Sequence, residues 1–361
     1  MTRPLTRLLS DIDLPAIPAG HLVAPTAAAP ALVALAAQGA SAPTVVVTAT
    51  GADAETFAQA LGSFMDTERV AVFPAWETLP HERLSPRSDT VARRLATLRR
   101  VVHPQRVEEE TSLPPLSVVV APVRALLQPM VAGLADLEPV LVTRGQYVDL
   151  TELTEQLSAA AYTRVDMVER RGEYAVRGGI VDVFAPTDAH PIRVEFFGDE
   201  VDSLRSFSVA DQRSLQAEPR LWAPPCRELL LTDAVRERAD SLREAIPAAA
   251  DMLGRIASGV AVEGMESLIP VLVDRLESFT DMLPPDTRVV AIEPERLARR
   301  ADDLTRTAAE FLSAAWVSAT AGAQAPLQAG EGSFLSLDDV RAAADDHGVA
   351  WSSIGPFGGA D

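Results

Sequence analysis

Residues 170–207, reading RRGEYAVRGGIVDVFAPTDAHPIRVEFFGDEVDSLRSF, constrain the fold of this chain more than any other stretch. In Ile192-Arg193-Val194-Glu195-Phe196-Phe197 apolar and polar residues alternate, and strand side chains alternate between two faces. Ile192, Val194 and Phe196 therefore turn toward a core, and Arg193, Glu195 and Phe197 turn outward. Gly198-Asp199 predicts a tight turn into a returning strand, Val201 to Phe207. Upstream, Tyr174 to Phe184 reads as the paired strand. Gly178-Gly179 in its middle signals a bulge or the close approach of another backbone. The expectation is a three-stranded antiparallel sheet with Arg177, Arg193 and Phe197 on an open face. Two arginines and an outward aromatic have the composition of an interface hot spot, and an uncovered phenylalanine is costly to solubility. The plainer alternative makes both arginines solvated strand residues paired with Glu173 and Glu195.

Elsewhere the chain alternates strand and helix. Thr44–Thr48 (TVVVT), Val70–Phe73 and Leu116–Ala121 read as short buried strands, with helices over 52–65 and 90–102 between them. That alternation predicts an α/β domain with a parallel sheet. The first strand and helix, VVVTATGADAETFAQAL, occupy the place of a nucleotide-binding phosphate loop. Such a loop needs several glycines, a lysine and a magnesium-holding hydroxyl. Here Thr50, Gly51 and Asp53 stand instead, with one glycine in the turn and carboxylates at Asp53 and Glu55. The chain has no lysine at all; its 32 basic residues are arginine. ATP hydrolysis is not expected, and neither is any cofactor.

A helix capped by Asp149 and Glu152, carrying Leu150, Leu153 and Leu157, precedes the strand block and suggests a small inserted α+β domain. The expected partition is 1–138, the first part of the α/β domain; 139–222, the insertion; 223–325, a second and mostly helical part; and 326–361, a linker-like tail. Pro104–Pro115, with three consecutive glutamates, reads as an exposed loop.

A net charge of −19 disfavours direct nucleic-acid binding unless the arginines cluster, and fits solubility or a basic protein partner. Arg93, Arg94, Arg99 and Arg100 form such a cluster on one helix; solvated surface or contact with Glu108–Glu110 is the default reading. The single Cys226 excludes an internal disulfide and a cysteine-based zinc site, and the five histidines show no metal-ligand spacing, so no metal is expected. The start lacks a signal peptide's apolar core and no long apolar run occurs, which predicts a cytoplasmic protein without a membrane segment.

The stretches RRGEYAVRGGIVDVFAP, IRVEFFGDEVDSLRSFSVADQRS and FPAWETLPHERLSPRSDTVARRLATLRR resemble the N-terminal part of the bacterial transcription-repair coupling factors (Mfd), itself similar to the excision-repair protein UvrB. The resemblance covers most of residues 40–225. It implies a degenerate, P-loop-NTPase-like α/β domain interrupted by a small domain that binds UvrA. By motif, the UvrA-binding residues fall on Arg177, Arg193 and Phe197; Glu195 and Asp199 lie near and are read as possible supports. It also implies that RNA polymerase is contacted, and DNA translocated, by other domains of the full-length proteins. Unlike UvrB, the chain lacks a tyrosine-rich hairpin for DNA; Trp76 and His81 read as packing residues. The rival readings are a nucleotide-dependent helicase fragment and a direct DNA-binding module.

Overall fold

The computed structural model describes residues 20–79, 82–320 and 334–357. The chain divides into two compact units, one of residues 1–81, 97–135 and 275–361 and the other of residues 82–96 and 136–274.

The first unit is built on a six-stranded sheet in the order Gly20–Val23, Ala350–Gly355, Arg288–Ile292, Thr44–Thr48, Val118–Pro122, Val70–Val72, with every pair parallel. Parallel strands are covered on both faces, and Thr44–Thr48 and Val118–Pro122 are accordingly buried along their whole length. The helices Ala29–Ala36 and Gly51–Leu61 pack Val33, Phe57 and Leu61 against Val46, Val118 and Val290. The expected mixture of a parallel sheet with a separate antiparallel one is thus present.

Two expectations are corrected here. Residues 104–111 are a helix, Pro104–Thr111, not a loop. Proline takes the first helical position, where its missing N–H is no loss, and Arg99 and Arg106 neutralise Glu110. The tail expected to be linker-like holds the helix Leu337–Asp346 and the strand Ala350–Gly355 in its described part. Ser336 and Asp339 form a capping box for that helix, and the strand buries Ser352, Ile354 and Gly355 as an interior member of the sheet.

The second unit carries a six-stranded sheet ordered Ser214–Ala217, Glu200–Phe207, Ile192–Phe197, Ile180–Val183, Glu173–Arg177, Thr163–Arg164; all pairs are antiparallel except the last. One face packs Val181, Val183, Val194, Val201 and Leu204 with Leu153 and Leu157 of the helix Leu150–Ala159. Asp149 caps that helix, accepting from the N–H groups of Thr151 and Glu152, which holds its carboxyl below the ordinary range. The other face is partly covered at one end by Val168, Ala175, Phe184 and Phe207. Gly178-Gly179 is a two-residue hairpin turn between paired Arg177 and Ile180, not a bulge within one strand. Close approach does occur there: a Cβ on Gly179 would lie 3.3 Å from the Phe196 carbonyl oxygen. The bulge sits one strand over, between Glu195 and Phe196. Of the stretch expected as one helical piece, residues 223–274 belong to this unit and 275–320 to the first.

No helix among the described residues is long and apolar enough to cross a membrane.

Candidate functional site

The outward face of the antiparallel sheet grades from apolar to polar along its strands. Beyond the small cluster around Phe207, Arg193 lies in register with Asp182 on one side and Arg205 on the other. Asp182 is 1% exposed and is the hub of the face. Arg193 donates through Nε at 2.7 Å and through a terminal nitrogen at 2.9 Å to its two carboxylate oxygens. Arg177, from the adjacent hairpin strand, donates to the same carboxylate at 2.5 Å. One buried acid therefore orders two guanidinium groups of opposite character. The Arg193 side chain is only 16% exposed and lies over the Phe207 ring, 4.6 Å from its centroid. The Asp182 hydrogen bonds raise its basicity further, burial opposes this, and the charges of Asp182 and Glu195 add to it. The Arg177 side chain is 47% exposed and projects toward solvent.

Next along the face come Glu195 and Phe197. Glu195 accepts from the Ser203 hydroxyl at 2.6 Å and acts on Arg193 through charge alone. Phe197 is 82% exposed. Asp199 stands in the turn, its carbonyl taking the Val148 N–H. The structure therefore brings Arg177 and Arg193 together on Asp182, which supplies the hydrogen bonds, while Glu195 adds its charge to Arg193. The sequence did hold a signal for it: Asp182 is the one acid in the run Ile180-Val181-Asp182-Val183, with valines on the core face at either side.

The strand ends of the parallel sheet form a second candidate. A cavity of about 270 Å³ is lined there by Thr50, Gly51, Glu55, Trp76, Arg124 and Arg300, among others. Open α/β sheets bind ligands at this edge. The helix N-terminus beside it is already engaged. Thr50 and Asp53 form a reciprocal capping box, Asp53 accepting from both the N–H and the hydroxyl of Thr50. Arg296 pairs with Asp53 at 3.0 Å. An internal carboxylate thus stands where a phosphate would be received.

The arginines of the helix Ser88–Val102 do not form an open basic patch. Arg94 is buried and bonds Glu228 at 2.5 Å, Arg99 is buried against Glu110, and Arg100 donates to the carbonyls of Glu68 and Pro114. Trp76 donates its backbone N–H to Gln128 Oε1 at 2.9 Å, and His81 lies outside the described residues. Among the described residues no cluster of three or more histidine, cysteine or acidic side chains could hold a metal ion.

Residues 140–228 match the family model of the UvrB interaction domain, the segment that contains the whole antiparallel sheet and the arginine pair. The transcription-repair-coupling factors of Mycobacterium bovis and Mycobacterium tuberculosis are each 50% identical to the chain over 339 residues, which is 89% of this chain and 27% of theirs. That of Haemophilus influenzae is 31% identical over 255 residues, 69% of this chain and 21% of its own length. The chain thus spans about a quarter of the curated relatives it matches. Identity of one half along nearly nine-tenths of the chain, joined to the domain match on the sheet just described, makes it a member of the transcription-repair-coupling factor family.

Proposed function

We propose that this chain is a recruitment module that docks UvrA, the role named by the resemblance of its sheet to the UvrA-binding domain of the family. The observation that carries the reading is an 82% exposed Phe197 on the same outward face as a half-exposed Arg177 whose position is fixed by a buried carboxylate. An ordered arginine loses little freedom on binding and can take a partner's carboxylate with two parallel hydrogen bonds. An exposed ring on the same face fills an apolar pocket and excludes water. Arg193, largely enclosed, keeps Asp182 in place and so acts through Arg177.

In this reading the parallel-sheet domain is a degenerate P-loop-like fold that does not turn over ATP. The absence of lysine and the Asp53 carboxylate at the helix start support it. The small domain is an insertion into it, and contacts to RNA polymerase and movement on DNA belong to regions of the longer relatives beyond this stretch.

Calorimetric titration into purified UvrA tests the proposal, with the native chain beside Arg177→Ala/Phe197→Ala. Loss of about 2 kcal/mol or more of binding, with circular dichroism unchanged, is expected from removing two anchors. Equal affinity in the variant would move the docking surface elsewhere, and no binding by the native chain would remove the recruitment role.

A further inference from the structure

One row of residues on the same face is not used by the arginine pair. Glu200 is paired in register with Phe197 on one side and bridged to Tyr147 on the other. Residues opposite each other in a sheet project from one face, so Glu200 stands between two aromatic side chains. Both are large and exposed, Tyr147 at 75% and Phe197 at 82%. The Tyr147 hydroxyl donates to Glu200 Oε2 at 3.1 Å, which fixes the carboxylate relative to the ring. No described ion pair involves Glu200. Its chain neighbours Asp199 and Asp202 are exposed acids, and Arg144 donates to the Asp202 carbonyl at 3.0 Å, so with Glu200 the acids outnumber this cation along the row.

We propose that the Phe197–Glu200–Tyr147 row receives a cationic side chain, an arginine, from the docked protein partner; this rests on the docking role proposed above and extends it to the far end of the same face. The chemistry selects the occupant. A purely apolar partner surface would bury Glu200 without a counter-charge, a large cost. A phosphate or a partner carboxylate would be repelled. A guanidinium satisfies all three groups together, because its plane stacks on an aromatic face while its edge donates to the carboxylate. The docking face then has two signs: Arg177 offers a cation at one end, and Glu200 offers a framed anion at the other. Such a pattern fixes the orientation of the partner as well as its affinity.

The test uses the full chain titrated into purified UvrA at several salt concentrations, with Glu200→Gln, Tyr147→Ala and Arg177→Ala as separate variants of unchanged circular dichroism. Glu200→Gln is expected to weaken binding by about tenfold and to flatten its salt dependence. Tyr147→Ala is expected to weaken it by about three- to tenfold. Wild-type affinity in either variant, with Arg177→Ala still impaired, overturns the arginine-receiving row and leaves the docking face standing. Wild-type affinity in all three overturns both.

Discussion

A carboxylate can be ordinary in sequence and decisive in place, and Asp182 and Asp188 illustrate the two ways. Asp182 gathers Arg177 and Arg193 because three strands bring residues into register, and no local pattern encodes that register. The alternation that turned Ile192 and Val194 inward and exposed Phe197 was readable, since a strand's period is a local property. The acid at the centre was legible only as a lone polar residue among core valines; its role was not, because that is defined by pairing across strands. Asp188 lies half-buried in the loop before the Ile192–Phe197 strand, its carbonyl held by Arg171. Burial pushes its carboxyl up to about 7, Glu218 adds to this, and Arg171 opposes it. The folded chain therefore keeps a proton that the unfolded chain releases near 3.8. This contribution to stability is complete below pH 4, falls as pH rises from 4 to 7, and is level above that. Three pH units at about 1.4 kcal/mol each set a ceiling of about 4 kcal/mol, and relaxation of a half-buried group brings the expected loss nearer about 2. Urea midpoints at pH 4.5 and 8 measure it: Asp188→Asn should shrink the difference between the two. An unchanged difference would show that Asp188 titrates alike in both states.

Elements are joined in the second unit by a contact that nothing in local sequence announces. Gly264 has φ +76°, and a Cβ there would lie 2.3 Å from the Arg83 carbonyl carbon. Two segments of backbone, about 180 residues apart, thus touch across a missing side chain. A polar cluster seals the crossing. Ser85 Oγ receives the Gly264 N–H at 2.9 Å and donates to buried Glu266 at 2.6 Å, and Arg227 bonds Glu266 at 2.7 Å. Gly264→Ala is expected to cost about 3 kcal/mol or more, combining a left-handed backbone penalty of about 1 with displacement of the Arg83 backbone. Gly39→Ala is the control. Its φ of +74° is similar but no atom lies within 4 Å of the added Cβ, so only the conformational part, about 1 kcal/mol, should appear. Equal urea midpoints for the two variants would mean that the crossing yields easily. The helix Pro104–Thr111 makes the complementary point about elements. Its glutamates and flanking prolines read as loop, yet Pro104 is well placed at a helix start, and Arg106 within the helix and Arg99 from the preceding one both pair with Glu110.

For the whole molecule, the parallel sheet is assembled from strands distant in the chain, and its least legible member lies inside it. The Thr44–Thr48 and Val118–Pro122 strands announce themselves as β-branched runs. Ala350–Gly355, reading AWSSIG after a stretch rich in glycine and alanine, does not. It nonetheless pairs with Gly20–Val23 on one side and Arg288–Ile292 on the other. The Gly20–Val23 strand has no other strand partner among the described residues, so it depends wholly on this later segment. Removing residues 334–361 would strip the ladder from the Arg288–Ile292 strand and take Val340, Val349 and Ile354 from the core. A raw interior edge carrying Val289 and Val290 is an aggregation site as well as a loss of stability. The antiparallel sheet draws its core from residues 140–226 alone. Hydrogen exchange on the truncated chain should therefore show protection lost over 20–23, 44–48 and 288–292 and kept over 173–207. Full protection of the parallel strands after truncation would mean that the sheet stands without its interior strand, and uniform loss would mean that the antiparallel sheet cannot hold itself.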